Sequence, residues 1–354
     1  MNIKIKLNIL MIAIVAVVVG GIAVIQLLQA SSVGKNLSVR GLGYLAGEQA
    51  MGWKGRGETF LNKLDGIADI MGDFEAVRMA DRRDIYDRML LTTLNNNPEF
   101  VGIFSVWKPN ALDSRDFLYI GRTGSTATGQ YAMNYSRETG RITASSCLIV
   151  NEITAYMNGS DALKDRVENP TPYKVNGKDT FIVRMGVPIT RSTTNEVVGH
   201  LAILLDIAPM QDVLGDAIKS HEGISAYSIY SQDTTIIAGF IPGSTGKKLA
   251  DAELQYDSYA EQAGKAVLKG QEFYCQSYDP LLKETLYMVM IPFNLGNSDT
   301  TWSVMIGSAE SYILKEFRVM AIFTIILSVI AFTAAVVIII RVISAVVKPI
   351  VRKA

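Results

Sequence analysis

Two stretches without a single charge constrain this chain more than any other feature. Residues 7–28 contain no Asp, Glu, Lys or Arg, and residues 9–25 are apolar throughout, glycines included. Residues 319–340 form a second charge-free run. At about 1.5 Å per residue, each can cross a hydrocarbon core of roughly 30 Å. A core helix of that length in a soluble protein shows a polar face, and neither run has one. Two transmembrane helices are therefore expected, at 7–29 and 319–340. A secretory signal has an apolar region of about 7–15 residues followed by small residues at the cut. Ala30-Ser31-Ser32 offers such a cut, but the longer run favours an anchor.

The flanking charges orient the spans. Lys4 and Lys6 precede the first, and Arg341, Lys348, Arg352 and Lys353 follow the second. No Asp or Glu occurs before residue 31 or after residue 318. Basic flanks stay cytoplasmic. Both termini are expected inside a bacterial inner (cell) membrane crossed twice, with residues 31–318 periplasmic or extracellular. That segment keeps 28 basic against 34 acidic residues, a net charge of −6. An acidic exterior gives no support to nucleic-acid binding.

Metal and cofactor chemistry finds little to stand on. His200 and His221 are the only histidines, and no HExxH or CxxC spacing occurs, so neither zinc nor haem is expected and no cofactor is implied. No GxSxG or P-loop is present, which argues against an enzyme. Cys147 and Cys275 lie 128 residues apart in the exported segment. Export permits a disulfide, but two buried thiols are the simpler expectation.

Periodicity organises the outer segment. Leu61, Leu64, Ile67, Ile70 and then Phe74 outline one face of a long helix over about 31–75, which as a continuous helix would run about 60 Å as a stalk or dimer seam. A second helix is expected over 81–94, stopped by Asn95-Asn96-Asn97-Pro98. Strands are expected at 100–107 and 117–122. A hairpin of 130–137 and 141–148 would turn at Glu138-Thr139-Gly140. Residues 149–163 read as a short helix or ordered loop. Strands follow at 179–187 and 197–207, then a helix at 208–219. Further strands are expected at 224–231, 235–240, 284–291 and 301–308, with an amphipathic helix at 251–268. Tyr287-Met-Val-Met-Ile-Pro292 parallels Val183-Arg-Met-Gly-Val-Pro188 at an offset of 104 residues, and the strands beginning at Trp302 and Val198 keep it. The segment reads as one α+β architecture used twice. A helix at 312–318 leads into the second span.

This arrangement resembles the double-Cache sensor region of bacterial methyl-accepting chemotaxis proteins: two tandem PAS-like/Cache modules on a long N-terminal helix, flanked by two transmembrane helices. The wording that carries the resemblance is Pro172-Tyr173, then Phe181-Ile-Val-Arg-Met-Gly-Val-Pro188, then Val197-Val-Gly-His-Leu-Ala-Ile-Leu-Leu-Asp206. Arg341-Val-Ile-Ser-Ala-Val-Val-Lys348-Pro349 resembles the first turns of a HAMP linker. The implied domains are a cytoplasmic 1–6, a span at 7–29, a stalk at 30–78 and a distal module at 79–215. A proximal module at 216–311, a connector at 312–318, a span at 319–340 and the start of HAMP at 341–354 complete them. The resemblance implies a non-catalytic receptor that binds a small extracellular ligand and works as a homodimer. Its cytoplasmic output partners would be reached through a C-terminal part beyond HAMP. Sensor histidine kinases and diguanylate cyclases share the layout, and a truncated decoy receptor is a further alternative.

Ligands of such domains are small amino acids, amines or carboxylates held in the distal module. The family's amino-acid binders resemble one another in a Tyr, an Arg, a Trp-Tyr pair, a later Tyr and a last-strand Asp. Asp206 and Tyr173 fall at the last two positions, and Tyr156 stands in for the aromatic pair. The Arg-x-x-Trp element is absent. Reading the strand itself adds Tyr131, Tyr135 and Arg137, which alternate along one face, with Arg141 across the hairpin. Two tyrosines and an arginine would suit an anionic or amphoteric ligand, and the alternative is a solvent-facing stripe. Arg184 interrupts an apolar strand, where a charge needs a partner if buried, so a structural ion pair is expected ahead of the alternative, a ligand contact. Asp206 has a second reading as a helix cap.

Overall fold

The computed structural model describes residues 3–252, 257–280 and 282–352. It separates into two compact units, Gly43–Gly307 and a second one formed by Met1–Leu42 with Ser308–Ala354.

Helix α1 (Ile3–Gly72) enters the larger unit at Gly43. Its buried side chains there include Trp53, Leu61, Leu64, Ala68 and Met71. The expected stripe needs correction, because Ile70 is 62% exposed. At 100° per residue, steps of three turn the face by 60° each time. The third step points away, and the observed 3-4-3 spacing keeps the stripe on one side. Helix α2 (Arg82–Asn96) buries Tyr86, Leu90 and Leu94 and stops just before Pro98, which cannot continue a helix.

The first sheet is built from β1 (Phe100–Trp107), β2 (Ala132–Ser136), β3 (Thr143–Ser146), β4 (Arg166–Val167), β5 (Thr171–Val175), β6 (Lys178–Thr190) and β7 (Val197–Asp206). The order is β3-β2-β1-β7-β6-β4, with β5 also pairing β6. Helix α3 (Val150–Met157) packs on β1 and β7 from one face, and α2 packs on β1. Phe74 meets Trp107 edge-on and Tyr86 stacks on it, with ring centroids 5.2 and 5.8 Å away. Strands β1 and β7 are buried almost throughout. Each large apolar side chain so placed contributes roughly 1.5–3 kcal/mol of transfer free energy.

The strand expected at 117–122 is absent. A single 3-10 turn, Asp116–Leu118, stands there. The cause is local: Asp116 Oδ2 accepts the Asn110 N–H at 2.7 Å and Asp113 Oδ1 accepts the Arg115 N–H at 3.0 Å. Such side-chain-to-backbone bonds offer the chain an alternative to a ladder. The same carboxylates clamp the buried Arg83, with Nε to Asp113 at 2.8 Å and Nη2 to Asp116 at 2.6 Å.

Helix α4 (Ala208–Ser220) leads to the second sheet. Its members are β8 (Ala226–Tyr230), β9 (Ile236–Gly239), β10 (Phe273–Asp279), β11 (Glu284–Asn294) and β12 (Thr301–Ala309), in the order β10-β11-β12-β8-β9. Helices α5 (Leu249–Ala252) and α6 (Asp257–Lys269) lie between β9 and β10, and part of the helix expected at 251–268 falls outside the described residues. The order matches β5-β6-β7-β1-β2 strand for strand, so the architecture expected from the 104-residue offset is present: an α+β fold used twice. The two sheets meet through side chains. Phe181 of β6 lies over Gly246, whose φ of +81° and lack of a Cβ leave room for the ring. Asp165 accepts the Asn297 N–H at 2.7 Å, and Thr300 donates to the Val167 carbonyl at 2.7 Å.

In the smaller unit, the short α7 (Glu310–Ile313) precedes α8 (Lys315–Arg352). Lys35 of α1 pairs with Glu310 at 3.0 Å. Both long helices are long and apolar enough to cross a membrane. Val17, Leu28, Phe323 and Leu327 are each at least two-thirds exposed. A surface of that kind suits lipid and is unfavourable in water. Neither cysteine is in a disulfide; Cys147 is buried and Cys275 half-buried.

Candidate functional site

A cavity of about 410 Å³ opens on the face of the first sheet that carries α3. Phe104, Ile182 and Leu204 from three central strands form its apolar floor. Asn134 and Ser136 of β2 and Thr143 and Ser145 of β3 form a hydroxyl- and amide-rich wall. Tyr173 and Pro172 of β5 stand opposite, and Arg184 of β6 contributes a guanidinium. The segment Cys147-Leu148-Ile149, which leads into α3, closes the remaining side. Leu148 is 99% exposed at this margin. Mostly apolar walls with a few convergent polar groups are what small-molecule sites require.

The electrostatics centre on Arg184. Its Nη1 lies 2.9 Å from Glu168 Oε2, and Glu168 Oε1 lies 3.1 Å from Arg166 Nε. Arg166 also pairs with Glu152 of α3. Burial pushes the Glu168 carboxyl up, and the guanidinia of Arg184 and Arg166 oppose it. This is the ion pair expected for Arg184, and the same residue lines the cavity. Burial raises the Tyr173 hydroxyl, helped by Glu138, with Ser136 acting the other way. A neutral phenol is therefore the form that faces a ligand. Burial also pushes the Cys147 thiol up to about 11.

The sequence-derived candidates divide sharply. Tyr173 lines the cavity. Tyr131, Tyr135 and Arg137 do share a face, but it is the opposite one, toward α2. Tyr131 is fully buried and donates to Asp87 Oδ1 at 2.6 Å. Burial and the neighbouring Asp87 hold its pKa well above the usual phenol range. Tyr135 is half-buried on the same side, raised by burial and Asp87. Arg137 donates to the carbonyls of Leu94 and Pro98, at the C-terminal end of α2, where a cation also suits the helix dipole. The alternation is a matter of one residue: Asn134 and Ser136 face the cavity, and their neighbours do not. Arg141 is exposed on the hairpin. Tyr156 donates to the Lys164 carbonyl at 2.9 Å and packs on His200, under the Arg166 guanidinium. Asp206 accepts from Thr180 Oγ1 at 2.6 Å and from the Ala208 N–H at 3.0 Å, which starts α4. Asp206 is not the N-cap itself: that position is Ile207, and Asp206, one residue earlier, accepts from the backbone N–H of the first residue of α4. Asn134 and Ser136 of β2 and Ser145 of the edge strand β3 were missed because short polar residues at alternate positions look like a solvent face.

Comparison with solved structures decides the fold. The periplasmic sensory domain of the Campylobacter jejuni chemoreceptor Tlp1 superposes with a TM-score of 0.56, over 77% of this chain and 95% of that one, at 18% identity. Methyl-accepting chemotaxis protein X gives 0.58 over 78% and 98%, at 18% identity. The extracellular domain assigned to the histidine kinase mmHK1S-Z2 gives 0.57 over 76% and 99%, at 20% identity. The chain has the fold of a Cache-like periplasmic sensory domain. No family model matches the sequence. A curated relative is methyl-accepting chemotaxis protein TlpQ of Pseudomonas aeruginosa, 23% identical over 198 residues. That match spans 50% of this chain and 27% of TlpQ, so the chain corresponds to about a quarter of that receptor's length. Within this fold the cavity lies on the first of the two sheets.

Proposed function

We propose that this chain is the sensor region of a two-pass membrane receptor, and that its first sheet binds a small extracellular molecule bearing a carboxylate. The observation that carries the proposal is the cavity holding Arg184 and Tyr173 beneath α3. Arg184 supplies charge-assisted donors, and Tyr173, Asn134 and Ser136 orient the rest of the ligand. An amphoteric ligand finds a carboxylate at Glu138. Tyr131, Tyr135 and Arg137 support β2 from behind, Tyr156 holds α3, and Asp206 fixes the start of α4.

In this reading α1 and α8 are anchors, both termini are cytoplasmic, and 79–215 and 216–311 are the distal and proximal modules of a double-Cache region. Strand β12 runs into α7 and α8 with a single residue, Leu314, between the two helices. A change in the sheet therefore reaches the second span with little slack and passes to HAMP. The chemotaxis output is preferred because the sequence match is to a chemoreceptor. A kinase output is the second reading, supported by the fold shared with mmHK1S-Z2. The proposed working form is a homodimer, and the activity is binding rather than catalysis.

A thermal-shift screen of the full chain in nanodiscs against carboxylates, amines and amino acids tests the site. A ligand at 100 times its Kd stabilises by about 2.7 kcal/mol. Hits are expected to lose their shift in the Tyr173→Phe/Arg184→Met double variant. Shifts that survive in it would place the ligand elsewhere.

A further inference from the structure

A second cavity, of about 500 Å³, lies between α1 and α4 on the other side of the larger unit's helical layer. Its two walls are each one helix face. On α1 the lining residues Gln49, Gly52, Trp53 and Arg56 follow the spacing i, i+3, i+4, i+7. On α4 the lining residues Val213, Asp216, Ala217 and Ser220 repeat that spacing. Gly52 and Ala217 sit mid-wall, and a Cβ added at Gly52 would meet nothing within 4 Å.

The floor is already satisfied. Trp53 Nε1 donates to Tyr227 Oη at 2.7 Å, and Tyr227 donates on to Gln49 Oε1 at 3.0 Å. Trp53 and Tyr227 are 7% and 0% exposed, and burial pushes the Tyr227 hydroxyl up to about 12. The floor is thus a fixed, neutral aromatic platform that asks no hydrogen bond of an occupant. The charges are on the walls. The Arg56 guanidinium lies 5.2 Å from the Trp53 ring centroid. Its neighbours Lys54 and Glu58 pair with each other at 3.6 Å, and among the described residues Arg56 has no carboxylate within 4.0 Å. Asp216, on the facing wall, holds among the described residues only the loose, exposed contact to Lys219 at 3.5 Å.

We propose that this groove is a second ligand site, separate from the first-sheet cavity, for a small dipolar molecule. Its anionic end pairs with Arg56, its cationic end with Asp216, and its apolar body lies over Trp53 and Tyr227. The volume is within the roughly 300–1,000 Å³ of small-molecule sites. A helix of a second copy is the rival occupant. It would bury a guanidinium and a carboxylate on opposite walls, which an apolar helix face cannot compensate. A molecule carrying both charges compensates both. Because α4 connects the two sheets, an occupant would fix α1 against that connection.

The test uses the full chain in nanodiscs with Arg184→Met, which disables the first-sheet site. Glycine, β-alanine, 5-aminopentanoate and 6-aminohexanoate are titrated by calorimetry as a ladder of charge separation. At least one is expected to give saturable heat. Its Kd should rise at least tenfold in Arg56→Gln and in Asp216→Asn, and binding should vanish in Gly52→Phe, which fills the groove. No heat from any of the four would overturn the proposal, as would an unchanged Kd in both charge variants. A disulfide between two chains carrying Gly52→Cys, formed in good yield, would show the groove covered by a second copy and overturn it equally.

Discussion

The two sheets share a strand order but differ in their connections and in the residues at matching positions. In the first, β1 and β2 are joined by residues 108–131, an elaborate connection pinned by Arg83 between Asp113 and Asp116. In the second, β8 and β9 are joined by only 231–235, braced by Lys248 on Asp233. Arg184 on β6 faces a cavity, and 104 residues later β11 has Met288, 3% exposed. His200 on β7 has Val304 at the same offset, fully buried. Polar groups were kept in the first sheet, where each costs stability unless it is paired. The second sheet carries apolar groups at these two offsets.

Breaking the polar investment of the first sheet should hurt that sheet alone. Arg83→Ala leaves two buried carboxylates without their cation, at a cost of about 3–5 kcal/mol. Hydrogen exchange is expected to show β1, β2 and the 108–131 connection losing protection while β8–β12 retain theirs. Uniform loss across both sheets would mean that the two fold as one cooperative body. Next in size is Arg184→Met, which gives the first sheet the side chain of the second. Ligand affinity should fall about 100-fold, equal to about 2.7 kcal/mol, with Glu168→Gln added to remove the stranded carboxylate.

The histidine sharpens the same contrast through pH. Burial, with Arg166 nearby, holds the His200 pKa down to about 3. A depressed base stays neutral in the fold while the unfolded chain protonates below about 6.5. Stability is therefore lost as pH falls through the window between these values, by about 2 kcal/mol at pH 5. His200→Val should remove that loss, as judged by urea midpoints at pH 8 and pH 5. Asp65 works in the opposite direction. Burial and the neighbouring Asp165 raise its carboxyl to about 6, so its contribution improves as pH falls toward 4. Asp65→Asn should therefore steepen the acid loss slightly. The smallest effect concerns the thiols. Cys147, buried and raised to about 11, should react with N-ethylmaleimide more slowly than the half-buried Cys275, and ligand should slow it further.

What the sequence made legible follows from the range of the interactions involved. The membrane-compatible helices and the duplicated sheet are written in local runs and in a repeated spacing, so they were readable. The face of β2 was not. Tyr131 and Tyr135 look like a binding stripe until α2 is placed over them, and α2 is brought there by contacts from Tyr86 and Leu90 that no local pattern records. Arg184 was readable as a charge needing a partner, and Glu168 supplies it. That the same guanidinium also borders a cavity depends on α3 and on β4 and β5. These strands are short, polar and half-exposed, and they carry no alternation strong enough to announce them. For Asp206 the nearby sequence showed a carboxylate next to a helix start, and from one position before the N-cap Ile207 it accepts the Ala208 N–H.

The central claim is that Arg184 anchors a small ligand within the first sheet. The most direct measurement is native mass spectrometry of the full chain purified gently from its host, compared with the Arg184→Met variant. A bound carboxylate is expected on the parent chain and not on the variant. The same molecule retained by both would contradict the account.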